Sequence, residues 1–488
     1  MSSSILAHNV SAHARAQLSA GRGRRYVTLT FLRGAVAALS VTLLVGLLGV
    51  LYTVPALGEL LEAAGIQFAV LRPLHTIFAA AWIFLGAIAV VHRYFEDEAP
   101  PMSPGDRLRI RTQLILWAFA GLGILITVSL GIGSGREYMG FHPAFSVFIL
   151  GGWLCFTWSF FRITRKGFWQ RPVYITMWAV GCLFFIYTFC EQHAYLLPGV
   201  FSDPIVDKRI QWKACGTLVG SFNLFVYGSL IYIGEKTSGD KSYGNSKIAY
   251  SLFGIGLLNS FTNYAHHTYH LPQSHLVKWV AFVISMLEII ILFRVIWDIA
   301  RSVSVKQRVQ YNSMTHWINA SKWWTGAMLF SSILISIPPL NALIHGTYVV
   351  TAHAMGTMIG IDSIILLGTS TYLLGEFLGK QSHSLHNAIS RVTVIGLNLG
   401  TGALVIWLNF VGITDGYYRY FVPRNEAYHR PEWLENIASI GFAVAGIVTF
   451  IFFALLVIRW IRLVSRPPTL VKNNEVEWAR ISLQAIET

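Results

Sequence analysis

Apolar runs of about 20 residues, separated by short polar segments, follow one another along almost the whole chain. A run of that length crosses the hydrocarbon core of a bilayer as one α-helix. The runs lie at 31–54, 71–92, 109–132, 143–162, 172–191, 212–234, 247–267, 276–300, 323–344, 349–378, 391–412 and 436–462. We therefore predict an all-α integral membrane protein with twelve transmembrane helices, because a helix satisfies its own backbone hydrogen bonds in lipid.

The basic residues are concentrated in the polar segments on one side of the predicted bundle. These segments are 1–25, 107–111, 162–171, 236–241, 301–308 and 459–466. By the positive-inside rule, we expect both termini in the cytoplasm. The expected organisation is a cytoplasmic tail at 1–30, one membrane domain at 31–463 and a second cytoplasmic tail at 464–488. The first tail lacks a small-residue cleavage site, so we interpret it as a tail and not as a signal peptide.

The composition agrees with a chain surrounded by membrane lipid. Of its 488 residues, 54% are hydrophobic and only 12% are charged, whereas a soluble protein carries about a quarter charged residues. The formal net charge of +14 could indicate nucleic acid, but the basic residues flank the spans, so we expect no nucleic-acid partner. The four cysteines form no CxxC or CxxCH motif, so we expect no zinc ribbon and no covalently attached c-type haem.

Four histidines on three predicted spans lie at similar depth, near the outer ends of those spans. His75 begins the second span, His266 and His267 end the seventh, and His353 lies one turn into the tenth. Ionisable residues inside a bilayer are costly and usually functional, and imidazole is the commonest metal ligand. These positions favour a metal or haem site over four histidines satisfied within the core.

Five segments resemble motifs of the haem–copper oxidase superfamily, in the same order and at similar separations. They are RPLHTIFAAAWIFLG at 72–86, GREYMGFHP at 135–143, YAHHTYH at 264–270, SMLEIIILF at 285–293 and HGTYVVTAHAMGTM at 345–358. The second and fourth segments are similar to those of nitric oxide reductases. The chain is thus identified as a divergent member that resembles the catalytic subunit of nitric oxide reductase. The resemblance implies a twelve-helix bundle of the subunit I type in a bacterial cytoplasmic (inner) membrane.

The resemblance also implies two b-type haems and a non-haem copper or iron. His75 would ligate a low-spin haem, with residue 355 on its other face, and His353 would ligate a high-spin, reactive haem. His266 and His267 would bind the non-haem metal. Glu288 would act near the active site as a proton relay or as a group that stabilises the site, with a purely structural residue as the alternative. Asp362 and Asp298 are weaker relay candidates.

Glu137 matches a carboxylate that binds calcium beside the haem propionates in the family. The second glutamate of that motif is replaced here by Gly140.

Two further departures from the family concern metal ligands. The tenth span has Met355 where the family has a histidine, and a thioether can complete six-coordination and raise the haem potential. The alternative is that Met355 only packs. The sixth span, WKACGTLVGS at 212–221, lacks both the histidine and the glutamate of nitric oxide reductases. Its one candidate ligand is Cys215, and a buried cysteine with no neighbouring metal is an equal alternative.

The function that the resemblance implies is the respiratory reduction of nitric oxide to N2O and water. Electrons would come from a cytochrome c-type subunit, because this chain has no haem-attachment motif of its own. Dioxygen is the alternative substrate, in an oxygen reductase of the cbb3 type. A non-catalytic electron-transfer subunit that has lost the non-haem metal is another alternative, and an ion-coupled transporter without haem is a third.

Overall fold

A computed structural model describes residues 2–262, 269, 271–302, 312–378, 383–423 and 428–465. Side chains are described for the same residues except 2–23, 312–313, 378 and 383–389. Within these residues the regular structure is helical, with one isolated bridge between Gly133 and Phe141. The prediction of an all-α membrane bundle is therefore confirmed.

Twelve long helices, α1 to α12, follow the order of the predicted spans. They are α1 Ser2–Tyr52, α2 Phe68–Glu98, α3 Pro104–Ser129, α4 Ala144–Thr164, α5 Val173–Glu191, α6 Pro204–Ser238, α7 Lys247–Thr262, α8 His275–Ser302, α9 Asn312–Ser336, α10 Tyr348–Thr357 with Met358–Ser363 and Ile364–Leu378, α11 His383–Phe421 and α12 Glu432–Val464. Short helices at Pro55–Ala63, Pro198–Phe201 and Pro338–Ile344 join some of them.

Ten of the described helices are individually long and apolar enough to cross a membrane, namely all except α7 and α9. Helix α9 is long and apolar enough to cross a membrane only together with the short helix Pro338–Ile344, with which it forms a bent pair. Helix α7 is described over 16 residues, and its predicted continuation at 263–267 lies outside the described residues. Each predicted span therefore falls on one of the twelve helices.

The ninth span departs from its predicted course at both ends. The chain turns by 91° after Ser336, because Pro338 and Pro339 form the first turn of a new helix and cannot continue the old one. At the other end, α9 begins at Asn312 and not at 323. Ser321 and Thr325 are buried there, and their hydroxyls donate to carbonyls of the preceding turn at 2.9 and 2.7 Å. The polar stretch before the predicted start at 323 is therefore also helical and forms the first turns of α9.

Helices α2, α6 and α10 pack against one another at the centre of the bundle. The apolar windows of these three helices are 72%, 89% and 56% buried, whereas those of α1 and α3 are 28% and 22% buried. Helix α1 also contacts α12, so the outer helices surround the centre. Three candidate ligands, His75, Cys215 and His353, lie on these central helices.

Ion pairs join the central helices at the end that carries the N terminus. Arg93 on α2 binds Glu376 on α10 at 2.7 Å and Asp97 at 2.6 Å. Lys236 on α6 binds the other oxygen of Asp97 at 2.5 Å. Because each charge is paired across helices, this network fixes the relative depth of α2, α6 and α10.

Candidate functional site

His75 is held in a defined orientation by α1. Its Nδ1 donates to the backbone carbonyl of Thr42 at 3.0 Å, and a carbonyl can only accept, so the proton is on Nδ1. The other ring nitrogen, Nε2, therefore keeps its lone pair. Ligating histidines commonly show this arrangement, in which a second interaction fixes both the tautomer and the ring. The ring also packs against Gly46, where an added Cβ would lie 3.0 Å from both Cε1 and Nδ1.

Met355 lies at nearly the same depth as His75. Trp82 Nε1 on α2 donates to Ser363 Oγ on α10 at 3.2 Å, and the later contact between Arg93 and Glu376 shows that the two helices run in the same direction. Counted back from Trp82 and Ser363, His75 is seven residues away (82 − 75) and Met355 is eight (363 − 355). Both therefore lie about 10–12 Å from this contact, toward the predicted outer face.

Helix α10 approaches α9 closely beside the two candidate ligands. A Cβ at Gly356 would lie 2.1 Å from the sulfur of Met328, and one at Gly360 would lie 2.4 Å from the ring of Trp324. The Trp324 indole is fixed in turn, because its Nε1 donates to Asn398 Oδ1 at 2.5 Å. Small residues four apart permit such close helix packing in membranes.

A π-helical turn at Met358–Ser363 follows the ligand segment directly and contains Asp362. π-helical turns occur often at functional sites, since they change the direction of the side chains that follow. Asp362 is buried, and its Oδ1 has no hydrogen-bond partner among the described residues. It is within electrostatic range of Glu288 on α8 and of Tyr227 on α6. Two acidic groups from different helices thus influence each other electrostatically in the interior.

Glu288 has a polar partner on the neighbouring helix. Asn259 on α7 donates from Nδ2 to a carboxylate oxygen of Glu288, and Ser285 Oγ donates to Asn259 Oδ1 at 3.0 Å. Gly256 leaves room for this contact, since a Cβ there would lie 3.3 Å from Glu288 Oε1. The sequence analysis selected Glu288 but not Asn259, which stands among other small polar residues near the end of α7.

The outer loop 130–143 packs onto the start of α2. Arg72 binds Glu137 at 2.7 Å, and a Cβ at Gly140 would lie only 2.9 Å from Pro73 Cβ. A side chain at position 140 would force Pro73 or the loop to shift, so this close approach depends on the glycine. Calcium prefers six to eight oxygen ligands, and the Glu137 carboxylate is already balanced by a guanidinium. The calcium site at Glu137 therefore stays a prediction.

Tyr138 of the same loop adopts a left-handed backbone conformation, with φ of 58°. This conformation is strained for a bulky residue and is held by hydrogen bonds of the loop, among them Ser134 Oγ to Met139 O at 2.6 Å. Burial, together with the nearby Cys215 and Glu137, raises the pKa of the Tyr138 phenol. The phenol therefore stays protonated at neutral pH.

Cys215 is buried on α6 beneath the outer loop. Its thiol lies 4.0 Å from the backbone carbonyl of Glu137 and 4.0 Å from Gln192 Nε2. The described residues contain no group of three His, Cys, Asp or Glu side chains that could hold a metal. His266 and His267, the other predicted ligands of the non-haem metal, lie outside the described residues.

A buried ionic cluster fixes the outer end of α10, five residues before His353 (353 − 348). Asp415 is fully buried and binds Arg430 at 3.2 Å and Arg419 at 3.4 Å. The guanidinium of Arg430 lies over the ring of Tyr348, 4.7 Å from its centroid. Burial and the Asp415 carboxylate raise the pKa of Tyr428 to about 12, so that its hydroxyl remains a donor to Asp415. No sequence motif indicated this cluster.

The fold of this chain is shared with a solved structure. A solved haem–copper terminal oxidase dimer has the same fold, with a TM-score of 0.73 and 16% sequence identity. The superposition covers 92% of this chain and 85% of that one. The likeness to a solved structure at this identity concerns the fold alone.

Residues 26–444 match the family described as Cytochrome C and Quinol oxidase polypeptide I, and the chain belongs to this family. Cytochrome c oxidase polypeptide 1 of Halobacterium salinarum is 23% identical to it over 273 residues. That alignment covers 53% of this chain and 42% of the archaeal protein, so the chain matches less than half the length of this relative. The predicted superfamily is therefore confirmed, and with it a multi-pass membrane protein of the oxidase family.

Proposed function

We propose that this subunit reduces nitric oxide, with the stoichiometry 2 NO + 2 e⁻ + 2 H⁺ → N2O + H2O. Glu288 is the observation that carries the proposal. It is an acidic residue in the middle of α8, hydrogen-bonded to Asn259 and close to Asp362. A carboxylate at this position of α8 is the feature by which the sequence resembles nitric oxide reductases and differs from oxygen reductases. The electrons come from a cytochrome c-type partner on the outer side.

The residues of α2 and α10 fit two b-type haems. His75 would ligate the low-spin haem through Nε2, since Nδ1 is engaged by Thr42, and Met355 lies at the matching depth on α10. His353 would ligate the high-spin haem. When bound, the two haems supply electron transfer and the iron at which the gas binds. The protein orients these ligands through the close contact of α10 with α9 and through the Asp415 cluster at its outer end.

Glu288 and Asp362 would hold the protons that the reaction consumes. Both lie in the bilayer interior, where a single charge is costly and a neutral carboxylic acid is favoured. Asn259 orients Glu288, while Asp362 keeps one oxygen without a hydrogen-bond partner among the described residues. A proton can therefore be held at either carboxyl group. Asp298 lies at the other end of α8 and is paired with Arg294 at 2.9 Å. This position suits an interfacial residue better than a proton relay.

The described residues do not form a complete ligand set for the non-haem metal. On α6 the only candidate ligand is Cys215, whose thiol already faces a backbone carbonyl. A non-catalytic electron-transfer subunit is favoured by this incomplete ligand set. Reduction of dioxygen is favoured by the name of the relative from Halobacterium salinarum.

Metal and haem analysis of the purified protein separates these functions. Nitric oxide reduction requires two b-type haems by pyridine haemochrome, one non-haem metal and N2O as the product. Two haems without a third metal, and no gas turnover, would establish the electron-transfer subunit. Consumption of dioxygen with no N2O formed would assign an oxygen reductase, and a protein without haem would refute all three.

Gly46→Val is expected to displace the His75 ring and to disturb the low-spin haem. The new side chain would lie against Cε1 and Nδ1 of His75 and break the hydrogen bond to Thr42. Loss of such a supporting contact typically lowers metal affinity by about 10–100-fold. The measurement is the low-spin absorbance per protein after purification.

Gly49→Val on the same helix is the matched control. A Cβ at Gly49 meets no atom within 4 Å, so the same change in helix propensity occurs without contact to His75. Equal loss of low-spin absorbance in both variants would show that α1 is merely destabilised and that His75 is not held as a ligand.

A further inference from the structure

We infer that a groove between α1 and α3 binds an anionic phospholipid. The groove has a volume of about 370 Å³ and lies at the end of the bundle that carries the N terminus. Its apolar walls come from Val27 on α1, Met102 before α3, and Ile110 and Leu114 on α3. This volume lies at the lower end of the range for ligand sites and suits the glycerophosphate part of a lipid.

Two arginines that form no ion pair with the described residues line this groove. Arg107 and Arg111 are one turn apart on α3, and neither forms an ion pair with the described residues. Asp106, on the same turn as Arg107, is already bound by Arg109 at 2.6 Å and by Arg162. The N-terminal segment 1–23 contains no Asp or Glu that could neutralise them. The two guanidinium groups therefore favour a ligand that carries negative charge.

The face of α3 that carries these arginines becomes apolar further along the helix. Ile115 and Ala118 line the groove on the same face, and Ile115, Phe119 and Leu122 are 57%, 55% and 62% exposed. From Arg107 to Leu122 the face extends over 15 residues (122 − 107), or about 22 Å. One leaflet of the hydrocarbon core is about 15 Å thick. Two arginines followed along the helix by exposed apolar side chains match a charged lipid headgroup followed by its acyl chain.

The position in the bundle selects a phospholipid over a soluble anion. Helix α3 begins on the side to which the positive-inside rule assigns the cytoplasm, where anionic lipids attract basic residues near the membrane. Basic pockets between transmembrane helices on this side are known to bind anionic headgroups. Each arginine near the surface contributes about 1 kcal/mol, so the pair should increase affinity by about 30-fold.

Native mass spectrometry of the delipidated full-length protein tests this inference. Titration with dioleoylphosphatidylglycerol should give one tightly bound lipid, and titration with dioleoylphosphatidylcholine should bind about 30-fold more weakly. R107Q/R111Q should lose the same factor for the anionic lipid. The matched control R165Q/K166Q removes two exposed charges at the same end of the bundle, outside the groove, and should retain it.

Three outcomes would overturn the inference. Equal affinity of the wild-type protein for the two lipids would show that charge is not recognised, and this holds even if R107Q/R111Q fails to fold. Displacement of phosphatidylglycerol by inorganic phosphate would show a simple anion site. An equal loss in R165Q/K166Q would show an unspecific effect of net charge. None of these results depends on haem content or gas reduction, so the inference stands or falls separately from the proposed function.

Discussion

Glu288→Gln is expected to lower nitric oxide turnover by about 10²–10⁴-fold, the usual contribution of a positioned proton donor or acceptor. Glutamine has nearly the same shape as glutamate and still offers an oxygen to Asn259 Nδ2, so the packing of α7 against α8 is retained. It cannot, however, release or take up a proton. The measurement is N2O formation by the purified protein with a chemical electron donor, together with the haem spectrum, which should remain unchanged.

Asp298→Asn is the matched control on the same helix. Asp298 lies ten residues further along α8 (298 − 288) and is paired with Arg294 at 2.9 Å. The control removes one carboxylate from α8 without changing the interior pair of Glu288 and Asp362, and it should keep wild-type turnover. If Glu288→Gln also turns over at the wild-type rate, protons reach the site by another route. A loss of haem in Glu288→Gln would instead assign Glu288 a structural role.

The transmembrane spans could be predicted, together with the histidines on two of them, because their sequence signals are local. Twenty apolar residues are sufficient to specify a transmembrane helix, whatever it packs against. His75 and His353 also stand out locally, since a histidine in an apolar run is costly unless it has a function. The bend after Ser336 could have been predicted as well, from the adjacent prolines at 338 and 339.

The partners of these residues could not be predicted, because each depends on a second helix. Asn259 became meaningful only once α7 was placed beside α8, and Thr42 contributes a backbone carbonyl that no side-chain pattern marks. The π-helical turn that places Asp362 is likewise not specified by composition. It lies beside the close contact of α10 with α9 at Gly360, which is a tertiary feature.

Met355→His is expected to lower the midpoint potential of the low-spin haem while its six-coordinate spectrum is retained. Thioether ligation raises a haem potential relative to a second imidazole, because sulfur stabilises the reduced iron. Axial ligands set haem potentials over a range of about 0.8 V, so a shift on the order of 0.1 V or more is expected. The measurement is a spectroelectrochemical titration of the purified protein, with the second haem, which we propose His353 ligates, as an internal reference.

Met355→Ala decides whether the thioether is a ligand at all. With ligation, the alanine variant leaves only His75 on the low-spin iron, and the spectrum should change to that of a five-coordinate haem. Met358→Ala removes another thioether, one turn further along α10, and should leave both the spectrum and the potential of the low-spin haem unchanged. A six-coordinate spectrum that persists in Met355→Ala would mean that Met355 only packs against the core, as its half-buried position among apolar neighbours also permits. The potential of the low-spin haem would then be set by His75, by another group in the sixth position and by the apolar surroundings of α2.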